Sequence, residues 1–188
     1  MDLADRLRKV IGSIDFLAGE VLLNAPISQI HEVLYTTARR HISFSFSVRL
    51  DVGDISENLD VVLSTETPEV KVRGMVAELS ISGADVRQGA TLRDAVNAIA
   101  DFERDLKQNA WCRGTVECMP LSKFSRNTVI NYPGFSVGIY PDRQIGGAYE
   151  VVVYGEGYSL TLRGVYGDYL RPIDVVESFT RHVKPLFA

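Results

Sequence analysis

The chain has 188 residues, 46% of them hydrophobic and 23% charged, which excludes a disordered low-complexity segment and allows a packed core without staples. A net charge of −4, with twenty Lys and Arg residues scattered rather than clustered, argues against nucleic acid as a partner. The most apolar stretch, IDFLAGEVLLNAPI, is short and broken by Asp15, Glu20 and Pro26, so no membrane span is expected.

In chain order, residues 1–11 predict a short helix, because Leu3, Leu7, Val10 and Ile11 share one helical face. The charges through MDLADRLRKV leave no room for the apolar centre of a signal peptide, and a cytoplasmic location is expected. Residues 14–23 fit strand or helix. A helix is predicted from Pro26 to about Arg40, with Pro26 at its first position and Ile27, Ile30, Leu34 and Ala38 as its apolar stripe. Strands are predicted at Ile42–Leu50, where serines alternate with apolar residues, at Leu59–Ser64 and at Val70–Ile81. Thr91 with Asp94 three residues on predicts a capped helix through TLRDAVNAIADFERDLKQNAW, with its stripe on Leu92, Val96, Ile99, Phe102 and Leu106.

Beyond it, TVECM predicts a strand and SRNTVINYPG a turn-rich connection. Phe135–Tyr140, Tyr149–Tyr154 and Tyr158–Val165 predict three strands separated by glycine-bearing turns. A last helix opens at Pro172 and stops at Pro185. Three strands followed by a helix thus occur twice. The expected fold is a single α+β domain over 1–188. It has a mostly antiparallel sheet with helices packed on one face, and two βββα halves (1–111 and 112–188) as its finer division. One continuous sheet is the first expectation and two small sheets the second.

Chemical motifs are sparse. His31, His41 and His182 are not paired at helical spacing, and neither HExxH nor CxxC occurs, so neither a metal nor another cofactor is expected. Cys112 and Cys118, six apart on an expected strand, point away from a local disulfide and toward buried thiols in a reducing compartment. No C-x5-R signature follows either cysteine, and no GxSxG elbow is present. Ser178, His182 and Asp174 could be written as a triad, but one helix would hold all three and leave the base facing no substrate. Asp51, Asp54, Glu57 and Asp60 lack the order of a calcium loop. Gly155–Ser159 lacks the lysine and following helix of a phosphate loop. No catalytic residue is named, and the balance leans away from an enzyme.

One compositional bias stands out. Seven of the eight tyrosines, from Tyr132 to Tyr169, lie in a 38-residue window with eight of the fifteen glycines. Tyrosine suits strands and cross-strand pairs, and it also suits protein interfaces. The functional expectation is a non-enzymatic protein-binding module, of the inhibitor, immunity-protein or chaperone kind, for a partner that could be basic. Its candidate binding residues are Tyr149, Glu150, Tyr154, Glu156, Tyr158, Tyr166 and Asp168. The alternatives are a small-ligand-binding protein or small enzyme with a pocket between sheet and helices, using Glu156, Arg163 and Asp168, and a homo-oligomeric structural protein.

Overall fold

A computed structural model describes residues 22–36, 43–83, 85–106, 112, 115–167 and 170–187. The helix expected over 1–11, most of the ambiguous stretch 14–23, and residues 37–42, 107–111 and 168–169 lie outside the described residues.

The fold is α+β, with one antiparallel sheet of eight strands in the order β1-β2-β3-β4-β8-β7-β6-β5. Helix α1 (Ile27–Thr36) precedes β1 (Ser43–Val52), β2 (Ile55–Ser64), β3 (Glu69–Arg73) and β4 (Ala77–Ile81). Helix α2 (Leu92–Arg104) follows. Then come β5 (Thr128–Tyr132), β6 (Phe135–Pro141), β7 (Ala148–Gly155), β8 (Tyr158–Tyr166) and α3 (Pro172–Ser178). The last helix runs on through a wide π turn (Phe179–Val183) into a 3-10 turn (Lys184–Leu186).

Period-two patterning sets the register. Phe44 lies opposite Leu63, Val61 opposite Val72, Val72 opposite Leu79, Leu79 opposite Leu160, and Leu160 opposite Val153. These residues are buried and belong to one apolar cluster with Ile30 and Leu34 of α1, Val96, Ile99 and Phe102 of α2, and Val175 of α3. A shift of one residue in any ladder would turn that whole set outward. In β1, Phe44 and Val48 are buried and Phe46 and Leu50 half-buried, while Ser43, Ser45 and Ser47 are exposed. The serine row carries polar contacts: the Ser47 hydroxyl donates to Asp60 across the ladder at 2.7 Å. Farther along the sheet, Lys71 sits 3.5 Å from Glu69 and 3.7 Å from Glu78.

Two of the three helix starts predicted within the described residues are present as expected, while α1 opens at Ile27, one residue after Pro26. The Thr91 hydroxyl accepts from the Asp94 N–H at 3.2 Å, and the Asp94 carboxylate accepts from the Thr91 N–H at 2.9 Å. Pro172 opens α3, and the Asp174 carboxylate accepts from the Arg171 N–H at 2.9 Å.

Four expectations need correction. Val70–Ile81 is two strands, parted by a turn at Gly74–Val76. Glu103 of α2 holds that turn, accepting from the N–H groups of Met75 (3.0 Å) and Val76 (2.8 Å). A Cβ at residue 74 would collide with the Glu103 side chain, so only glycine admits the carboxylate this closely. Burial pushes the Glu103 pKa up, against the pull of those backbone N–H groups. The connection SRNTVINYPG contains a true strand, β5, so four strands precede each of α2 and α3 rather than three. TVECM is not a strand, since Val116–Cys118 forms one 3-10 turn. That turn brings the Cα atoms of Cys112 and Cys118 within 5.6 Å, and the two are joined in a disulfide, contrary to the free thiols expected of a strand.

Candidate functional site

Two surfaces gather the chemistry of the C-terminal strands. The first is the outward side of β5, β6 and β7. Tyr140 and Tyr154 meet there, hydroxyl to hydroxyl, at 2.8 Å. Gly138 makes this possible: the Tyr140 ring folds back along its own strand over Gly138, into the space a Cβ would fill. Glu150 lies opposite Tyr140 in the ladder and is exposed. Val129, on the neighbouring strand, is 53% exposed and Tyr154 41%.

The Tyr154 hydroxyl is pushed up to about 12, first by burial, then by its bond with Tyr140 and by the charge of Glu150. A raised phenol favours the protonated form in the folded state. The stability it contributes is therefore complete below pH 10 and is lost as pH rises toward 12. Alkaline absorbance titration, taken as the difference between the parent protein and Tyr154→Phe, is expected to place Tyr154 above ordinary tyrosines. The variant Tyr140→Phe should lower its midpoint. An unchanged midpoint would remove Tyr140 as a cause.

The second surface is a cavity of about 350 Å³ where the turns at Gly83, Gly134 and Glu156–Gly157 meet the C-terminal turn. Phe135, Tyr158, Phe187, Asp85, Glu156 and Lys184 line it. The Tyr158 ring stacks on Phe187 with centroids 4.0 Å apart, and it folds over Gly155 across the hairpin. Phe179 lies within the aromatic row, 5.0 Å from Phe135 and 6.1 Å from Tyr158. Burial raises the pKa of the Tyr158 hydroxyl.

The structure distributes the expected residues among different places. Tyr154 and Glu150 share the outward patch. Tyr158 and Glu156 line the cavity. Tyr149 is 7% exposed within the apolar cluster, its hydroxyl donating to the Phe124 carbonyl at 3.0 Å and its ring against Gly167, where a docking partner would not reach it. Tyr166 is exposed at the end of β8, and Asp168 lies outside the described residues. Arg163 borders a smaller cavity beside the Gly74–Val76 turn. Tyr140, Asp85, Phe135, Lys184 and Phe187 were not among the expected site residues. Their only sequence signals were a tyrosine two residues beyond a strand glycine and the short KPLF run that follows the last helix.

The paper triad comes apart. Ser178 donates to the Phe102 carbonyl, Asp174 pairs with Arg171, and His182 lies 2.9 Å from Asp105. The hydrogen bonds from His182 and Arg181 hold the Asp105 carboxyl below the usual range. Among the described residues no group of three His, Cys, Asp or Glu side chains converges to hold a metal. None of the helices formed by the described residues is long and apolar enough to cross a membrane. Comparison with known protein families, curated proteins and solved structures finds no match to this chain.

Proposed function

We propose that the protein is a non-enzymatic binding module that engages another protein, a basic one, through the outward face of its sheet. In this reading the helices cover one face of the sheet and leave the other to the partner. The observation that carries it is the Tyr140–Tyr154 pair beside exposed Val129 and Glu150. Two aromatic rings and an aliphatic side chain form a small patch. The outward positions toward β1 are instead mostly serines and charged residues, with pairs such as Arg73 and Glu78 at 3.2 Å. An aromatic centre with a polar surround is the anatomy of an interface hot spot. Glu150 and the net charge of −4 suit a basic partner by electrostatic steering. An inhibitor, an immunity-type protein or a chaperone would each use such a face.

The test is co-purification of the untagged protein from native lysate, followed by titration of the recovered partner against surface variants. Tyr154→Ala combined with Glu150→Lys is expected to weaken binding by at least about tenfold. A partner held equally well by that variant would show that this face is not the interface.

A further inference from the structure

Lys184 extends its ammonium group over the ring of Phe135, 5.6 Å from the centroid, at the mouth of the aromatic cavity. One ring of this cavity thus already receives a cation, as the negative face of an aromatic quadrupole does. The other charged groups at the lining are acidic. Asp85 and Glu156 form no ion pair and no side-chain hydrogen bond among the described residues. The cavity therefore combines aromatic walls, two uncommitted carboxylates and a single ammonium group.

Its walls are held in place from several directions. Phe187 pairs with Val86 in an antiparallel bridge, and the Arg87 N–H donates to the Leu186 carbonyl at 2.7 Å. Across the cavity the Ser82 N–H donates to the Gly157 carbonyl, also at 2.7 Å. The π turn buries Phe179 completely behind Phe135 and Tyr158, and wide turns of this kind are frequent at functional sites. A site preformed in this way spends little binding free energy on ordering.

We infer that this cavity binds a small organic cation, an ammonium or guanidinium group on a flat or apolar body. The body lies against Phe135, Tyr158 and Phe187, and the positive group faces Asp85 and Glu156. Anionic ligands such as phosphates meet two carboxylates and only one lysine, so the cavity disfavours them. The site uses none of the residues of the outward patch and does not depend on a protein partner.

The experiment is calorimetric titration of the purified protein, at low ionic strength, with benzylammonium, benzyl alcohol and benzoate at millimolar concentrations. Benzylammonium is expected to bind, benzyl alcohol more weakly, and benzoate not at all. The double variant Asp85→Asn/Glu156→Gln alters exposed side chains and should keep the native circular dichroism spectrum. It is expected to weaken benzylammonium binding by about fivefold to tenfold, an effect that fades with added salt. Lys184→Gln should tighten binding by about threefold, because it removes a like charge and frees the Phe135 ring. Benzoate binding as tightly as benzylammonium would overturn the inference. So would no binding of any of the three compounds, or an unchanged affinity in the double variant. A failed partner titration with the outward-patch variant would leave these results untouched.

Discussion

Replacing Phe179 with alanine is expected to lower the free energy of unfolding by about 3–5 kcal/mol. The side chain is fully buried and is among the largest that are. It lies 5.0 Å from Phe135 on one side and 6.1 Å from Tyr158 on the other, in a row that Tyr132 extends at one end and Phe187 at the other. Truncation removes the ring's burial and leaves a void that the flanking rings cannot close, because each is held by its own strand or turn. Urea denaturation at neutral pH measures the effect. The matching change at half-buried Phe46 of β1 should cost clearly less. A loss below about 1 kcal/mol for Phe179→Ala would mean that the aromatic row does not pack as described.

Asp174→Ala is expected to cost about 3 kcal/mol, the second largest single effect. The Asp174 side chain is fully buried, and it accepts three hydrogen bonds from Arg171. These come from the backbone N–H at 2.9 Å, from Nε at 3.1 Å and from Nη2 at 2.8 Å. Removing the carboxylate strips the start of α3 of its cap and takes from the Arg171 guanidinium the acceptor of two of its hydrogen bonds. Asp174→Asn keeps the shape and one acceptor, so it should fall between the parent and the alanine variant. If Asn and Ala prove equally destabilising, the charge is the main contribution; if Asn matches the parent, the paired charge contributes little. Thermal unfolding of the three proteins at one pH decides between them.

Features with local causes were the legible ones. The capping box at Thr91, the proline that opens α3, the hairpin glycines and the serine–phenylalanine alternation in β1 all act within a few residues of themselves. The errors arose where a distant part of the chain decides. Met75 and Val76 read as strand, and the turn exists because Glu103, on a helix that follows later, accepts from both of their N–H groups. Asn131 and Pro133 made β5 look like a loop, whereas its backbone is committed to the ladder with β6. Cys112 and Cys118 meet because a 3-10 turn replaces the expected strand.

The tyrosine–glycine bias has a physical account that composition alone could not supply. Three of the pairings are internal, with Tyr140 over Gly138, Tyr158 over Gly155 and Tyr149 against Gly167. In each, a missing Cβ provides the space that a ring occupies. Much of the bias therefore belongs to packing. The candidate surface narrows to the rings whose faces or edges remain accessible, namely Tyr154 on the outward side, Tyr166 at the end of β8 and Tyr158 in the cavity.

The strand order has a consequence for the time course of folding. Within β1–β4, and again within β5–β8, each strand pairs with its neighbour in sequence through a short turn. The ladder that unites them, β4 with β8, joins residues roughly eighty positions apart in the chain. Loop-closure entropy weighs little on the first kind of contact and heavily on the second. The five pairs from Ala77–Leu162 to Ile81–Tyr158 are thus the kinetic bottleneck of the sheet. Until they form, the inner edges of both meanders expose unpaired backbone groups, and this is the stage at which the chain is most open to pairing with another copy of itself.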